Sequence, residues 1–395
     1  MRDNKKRLKI LLILSLVLNI LLIFFYFPVN RTKTRFLVMR ILGFSTPSQV
    51  PNFKEDLLLT EFLPKSMLFN QDKRKNQLPS FPIVETHGHL GKFFQTSPKK
   101  VSEDLTNLGI RYFINLSLAT GEEFSEIQKE YNDPRIIHFS GFNWKRMDES
   151  EDFVPLMLED LKKDIQNHTK GIKLWKNFGL TLKKKNGERL KMDDPILDPL
   201  FRLCAENKLI ISIHTSDPPA FFEPIDEHNE RYEELVRKPE WSFYAEEFPK
   251  FSDLLEERNR LFAKHPDLRF VSLHFAESAH QLELANSLLE KYPNVYLDIA
   301  ARIDELGRQP YSTKKFLEKW QDRIFFGTDG PPDQKKLEIY SRFLETEDEY
   351  FDYYASHKPR KGFWKIYGIG LSKEVLEKIY YKNAIQMYDL KFDIR

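Results

Sequence analysis

The sequence predicts a (β/α)8 TIM barrel with a long insertion after the fifth strand, preceded by an N-terminal transmembrane helix. Three observations predict the barrel. From residue 81 onward, short apolar or β-branched runs alternate with longer stretches of helical periodicity, the pattern of βα units. About eight such runs occur, the number that closes a barrel. Several of them end in His, Lys or Asp, at the end where a barrel of this kind assembles its site.

The eight runs are "FPIVETHGHL" from Phe81, "RYFINLSLA" from Arg111, "RIIHFSGFNW" from Arg135, "GIKLWKN" from Gly171, "LIISIHTSD" from Leu209, "FVSLHFAES" from Phe270, "NVYLDIAAR" from Asn294 and "RIFFGTDGP" from Arg323. Between them, stretches such as "EDLKKDIQNH" and "AHQLELANSLLEKYP" repeat apolar residues at helical spacing and close on Asn or Pro, as amphipathic helices do. The segment after strand five, residues 218–262, is longer than an ordinary βα loop and sits on the catalytic side. Its aromatics, prolines and acids suit a lid that walls off the site, or else a packing excursion or a contact between copies in a homo-oligomer. His228 within it is a loop residue rather than a ligand.

With 395 residues, 41% hydrophobic and 30% charged, the chain can build one large core or two ordinary domains. Lys+Arg 61 against Asp+Glu 59 leaves a formal charge of +2, which gives no reason to expect a nucleic-acid partner. The single cysteine, Cys204 in "FRLCAENK", excludes an intrachain disulfide and reads as inert packing on a helix.

The N-terminus carries a basic flank and an uninterrupted apolar run, "KKRLKILLILSLVLNILLIFFYFPVNR", from Ile10 to Phe27, about 18 residues and long enough to span a bilayer. Phe24, Phe25, Tyr26, Phe27 and Pro28 stand where a cleaved signal would have small residues, so an uncleaved anchor is expected. Basic residues on both sides weaken the orientation rule. The expected arrangement is N-terminus inside and barrel on the periplasmic or extracellular side. Residues 1–30 are then the anchor or signal segment, 31–57 a Ser- and Pro-containing linker, and 58–395 the barrel.

Strand parity groups the polar residues. In an extended run Glu85, His87 and His89 share one face, Ser212 and His214 another, Ser272 and His274 another, and Phe325, Gly327 and Asp329 the last. Lys173 and Trp175 on strand four oppose Ile172 and Leu174, and Trp175 is a candidate substrate contact. Turn chemistry explains any one of these residues, but a His-x-His joined by further donors on separate strands points to a divalent, zinc-like ion. Arg302 shares parity with Tyr296, Asp298 and Ala300. It serves either as a bidentate donor to a substrate carboxylate or as an ion-pair partner of Asp298 or Glu305.

This pattern resembles the amidohydrolase superfamily of metal-dependent (β/α)8 enzymes, over roughly residues 60 to 390. The stretches "AFFEPIDEHNERYEELVRKPEWSFY", "NVYLDIAARIDELGRQP", "RIFFGTDGP", "FLETEDEYFDYY" and "KIYYKNAIQMY" are similar to a bacterial branch of amidohydrolase-related proteins. The resemblance implies that His87, His89, His214 and Asp329 surround the metal. It also implies that His274 is either a ligand of a second ion or an acid/base facing the substrate, and that a carbamylated Lys173 would bridge two ions. Glu85 stands where many relatives have Asp, which bears on how the ligands are oriented. The expected activity is hydrolysis of an amide, imide or lactone of a small molecule by a metal-bound hydroxide, with Asp329 moving the proton and His274 assisting at the carbonyl. A non-oxidative decarboxylase or hydratase of a small carboxylic acid is the alternative chemistry, and a non-catalytic, membrane-tethered barrel is the alternative class.

Overall fold

The computed structural model describes residues 77–354 and 361–391, together with residues 9, 11–19, 56–58, 61, 62, 64 and 67. The chain forms two compact units, Met1–Ser66 and Met67–Arg395. In the first, residues 11–19 are helical, and no helix among the described residues is long and apolar enough to cross a membrane. The rest of the span expected from Ile10 to Phe27, and nearly all of the 31–57 linker, lies outside the described residues.

In the second unit every expected strand forms: β1 (Ile83–Gly88), β2 (Ile110–Leu116), β3 (Ile136–Gly141), β4 (Gly171–Leu174), β5 (Ile210–Ile213), β6 (Arg269–Ser272), β7 (Val295–Asp298) and β8 (Ile324–Phe325). They pair in parallel in sequence order, as right-handed βα crossovers require. One helix of nine residues or more follows each strand: α1 (Pro98–Asn107), α2 (Gly121–Glu130), α3 (Val154–Gln166), α4 (Asp198–Glu206), α5 (Phe251–Lys264), α6 (Leu282–Lys291), α7 (Pro310–Lys319) and α8 (Gln334–Glu345). Each lays an apolar stripe on the sheet at helical spacing, as with Val154, Met157 and Leu161 of α3. One continuous apolar core joins strands and helices, and Cys204 is fully buried in it, where burial pushes its thiol up.

The seam between β8 and β1 closes through backbone bonds that run past the strand ends. Thr86 N–H donates to the Phe326 carbonyl at 3.0 Å, Asp329 N–H to that of His87 at 3.1 Å, and His89 N–H to that of Gly330 at 3.1 Å. These bonds hold His87, His89 and Asp329 on one shared backbone frame. Two glycines make room for it. A Cβ on Gly88 would lie 2.1 Å from the Phe113 ring, and one on Gly327 would lie 2.8 Å from Cβ of His87. Gly88→Ala is therefore expected to destabilise the fold by about 1–3 kcal/mol, the usual cost of overpacking a core. Urea unfolding checks it, and an unchanged midpoint would mean that Phe113 can move aside.

The insertion is shorter than the sequence suggests, because α5 already begins at Phe251. The remainder carries three short helical turns, Pro219–Phe222, Tyr232–Leu235 and Pro239–Trp241. Arg231, almost fully buried, pins it by pairing with Glu305 and, at 3.1 Å, with Asp304.

Candidate metal centre

The polar strand ends converge. One ligand atom from each of His87, His274 and Asp329 lies within 4.8 Å of the other two. His89, expected as a ligand, lies outside this group of three but beside it, its Nε2 3.2 Å from Oδ1 of Asp329, while His87 Nε2 is 3.4 Å from the same oxygen. The His214 ring packs edge-on against His274, centroids 4.3 Å apart, but its Nε2 donates to the Ser216 carbonyl at 3.0 Å. Lys173, buried on β4, donates from Nζ to His87 Nε2 at 3.4 Å.

The rings are held from behind. His87 Nδ1 donates to Oδ2 of Asp298 at 2.6 Å, and His274 Nδ1 donates to the Ala300 carbonyl at 3.0 Å. Committing Nδ1 fixes the tautomer and leaves Nε2 as the lone-pair donor. Asp298 ends β7 and also accepts the His274 backbone N–H at 2.6 Å through Oδ1. One carboxylate thus positions two candidate ligands. Sequence parity put Asp298 on this face but read it only as a partner for Arg302. Asp298→Asn is expected to weaken divalent-metal affinity about 10–100-fold, as read by competition with a chelating dye. Equal affinities would reduce Asp298 to a packing role.

His274 does not continue β6. It opens a left-handed turn in which His274, Phe275, Ala276 and Glu277 all have positive φ, from 52° to 58°. Each such non-glycine residue costs on the order of 1–2 kcal/mol. The turn is held by Asp298 at its start, by Arg258 Nη1 donating to the Ala276 carbonyl at 2.6 Å, and by the fully buried Phe275. It sets His274 on the cavity floor and Glu277 against Arg302. Strain of this kind collects at functional sites.

Arg302 corrects the parity argument. β7 stops at Asp298, so Arg302 lies past the strand and caps the short helix Ile303–Leu306. Its Nη2 donates to Oε2 of Glu277 at 2.7 Å and its Nη1 to the Ala301 carbonyl at 3.0 Å. The guanidinium is therefore paired, with Glu277 rather than with Asp298 or Glu305. Trp175 likewise lies just past β4, and it is 43% exposed.

The electrostatics suit a cation. Burial, helped by neighbouring positive charge, pushes the imidazoliums of His214 and His274 well below the ordinary histidine range, and burial brings His89 down to about 4. Neutral imidazole is the form that ligates metal. Burial works against ionisation of Asp329, yet the surrounding imidazoles of His87, His89 and His274 outweigh it and hold the carboxyl well below its usual range. Burial lowers Lys173 to about 8 against the pull of Asp329 and Asp298. Glu85 accepts from the backbone N–H of His87 at 2.9 Å and of Thr328 at 3.0 Å, tying β1 to β8 beneath the site. Burial nonetheless raises its carboxyl to about 7.

These residues form the floor of a cavity of about 520 Å³ lined by His87, His89, Lys173, His214, His274 and Asp329, with apolar walls above. The walls come from the loops after β1, β2 and β4. No insertion residue contributes to them, so the insertion does not wall this site as its sequence suggested.

Eight parallel strands carrying a His–His–Asp group at their C-terminal ends define a TIM-barrel protein able to hold a divalent cation. More particularly, the chain belongs to the amidohydrolase family, which matches residues 150–390, more than half of its length. The match includes Lys173, His214, His274 and Asp329, while His87 and His89 precede it. The family consists of divalent-metal enzymes that act on small molecules. Among solved structures the chain is similar to an uncharacterized TIM-barrel protein from Bordetella bronchiseptica, with 13% identity, coverage of 78% of this chain and 99% of that one, and a TM-score of 0.49. It is similar to a 2,6-dihydroxybenzoate decarboxylase from Rhizobium, with 14% identity, 78% and 98% coverage and a TM-score of 0.45. A dihydroorotase from Campylobacter jejuni shows 15% identity, 82% and 88% coverage and a TM-score of 0.45. No curated protein matches the chain by sequence.

Proposed function

We propose that the chain hydrolyses an amide, imide or lactone of a small molecule at a divalent cation held by His87, His274 and Asp329, with His89 and His214 beside them. The observation that carries this reading is the convergence of three donors within 4.8 Å at the floor of a cavity, with each histidine's other nitrogen already committed. The donor set fits a cation such as zinc: two imidazoles whose Nδ1 atoms are already committed, and one carboxylate.

When bound, the cation supplies Lewis acidity, polarising a carbonyl oxygen and lowering the pKa of water toward about 7. The remaining work falls to the chain. Asp329, one-third exposed at its side chain, accepts the proton from the attacking water and passes it to the leaving group. Asp298 and the Ala300 carbonyl keep the His87 and His274 rings from rotating, and the shared β8–β1 backbone fixes Asp329 against them. Lys173 decides the number of ions. A bicarbonate-dependent content near two per chain, lost in Lys173→Ala, would make it a bridging carbamate, and a content near one would leave it an ammonium facing the substrate.

The pairing of Arg302 with Glu277 removes the one residue that favoured a substrate carboxylate, and the decarboxylase or hydratase alternative then rests on the shared scaffold alone. The test is a panel of amides, imides, lactones and aromatic carboxylates offered to the metal-loaded protein. Appearance of the carboxylic acid product from any of the first three, read by chromatography, supports the reading, whereas carbon dioxide from the carboxylates with no hydrolysis rejects it. The apolar run from Ile10 to Phe27 is the sequence ground for an enzyme held at a membrane, with the barrel outside as the orientation to be tested. Full protease protection of the barrel in intact spheroplasts would place it on the other side.

A further inference from the structure

We infer that the substrate carries a neutral apolar group beside its scissile carbonyl, seated against Phe93, Phe94, Leu118 and Trp175 at the mouth of the cavity. The inference rests on reading the cavity floor as a hydrolytic metal centre and names the class of molecule that reaches it.

The first support is apolar surface left in water. Phe93 is 88% exposed, Leu118 49%, Trp175 43% and Phe94 36%, and all four line the same cavity as the His–His–Asp group. They come from the loops after three different strands, so no single helix face or packing accident groups them. Scattered exposed apolar residues need no explanation, but a contiguous set around one concavity marks a binding surface. The cavity, about 520 Å³, is of the size that encloses most of a small molecule.

The second support is continuity from mouth to floor. Phe93 meets Phe94 edge-on, with centroids 5.0 Å apart and planes at 80°. Phe94 in turn stacks on His89, with centroids 5.2 Å apart and planes at 9°. An apolar group lying along this surface places the atom attached to it beside His89 and Asp329.

The third support is charge. Lys173 is the only cation among the residues lining the cavity, and it is buried against His87. Glu123, exposed, lines the same cavity, and Asp329 stands at the floor. Of the cations outside the lining, Arg302 pairs with Glu277, Lys176 with Asp217, and Lys336 donates to the Asp329 carbonyl at 3.0 Å, while Lys92 is exposed beside Phe93. An anionic substituent at the mouth therefore meets Glu123 and, among the lining residues, only the buried Lys173 as a cation, whereas an uncharged ring or chain loses its water against aromatic faces.

Three chelating probes separate this inference from the reading beneath it. Acetohydroxamate, phenylacetohydroxamate and 4-carboxyphenylacetohydroxamate share one metal-binding head and differ only in the group beside the carbonyl. Titrated calorimetrically into the metal-loaded full chain, phenylacetohydroxamate should bind at least about tenfold more tightly than acetohydroxamate, and the added carboxylate should remove most of that gain. In the double variant Phe93→Ser, Leu118→Ser, two exposed positions, the ratio of the first two affinities should fall below about threefold, with folding checked by thermal melting. Equal affinities for all three probes would overturn the inference and leave the metal centre standing, and so would tightest binding of the carboxylate or an unchanged ratio in the double variant. Failure of every probe to bind metal-loaded protein would overturn the metal centre, and the inference with it.

Discussion

Replacing His87 and His274 together with Ala should cut turnover by roughly 10⁴-fold or more, because it removes two of three converging donors and with them the Lewis acid that the chemistry needs. Both side chains are buried, so circular dichroism must first show that the variant folds. The fold does not depend on these rings for its core, which is built from strand and helix apolar residues around the whole barrel. A folded double variant that keeps a tenth of wild-type turnover would take the ligand role away from both histidines.

Asp329→Asn should lower kcat by at least about a hundredfold with little change in KM, the usual signature of a lost general base. Asn keeps the shape and the backbone bond to His87 but cannot take a proton. Metal content has to be measured in the same preparation, since Asn is also a poorer ligand and an empty site would imitate a lost base. Near-normal turnover in a metal-loaded Asp329→Asn protein would take the proton transfer away from Asp329 and leave it as a ligand alone.

Much of the barrel was readable because a parallel strand buried on both faces leaves a short, nearly continuous apolar run, and all eight runs became strands. The strand ends were not readable. "FVSLHFAES" continues the alternation through His274 and contains no glycine or proline to announce a turn, yet β6 stops at Ser272 and four residues follow in left-handed conformation. Tertiary bonds from Asp298 and Arg258 hold that turn, and both come from segments distant in sequence. The same early ending of β7 undid the parity argument for Arg302, since alternation carries no information once a strand has ended. Asp329, four residues past the end of β8 and at a φ of 62°, is placed by the seam instead, whose backbone bonds tie it and His89 to β1 and β8 after the ladder formally ends. The insertion's last stretch was misread for a different reason. "FSDLLEERNRLFAK" has the period of a barrel helix, and the aromatic residues before it hid where the loop stops.

Metal content tests the central claim most directly. The purified chain, stripped with a chelator, reloaded with zinc and desalted, should carry at least one ion per chain by elemental analysis, and the folded His87→Ala, His274→Ala variant treated alongside should carry none. Equal zinc in the two proteins would show that the converging donors do not hold the ion, and the account of this site as a metal centre would be contradicted.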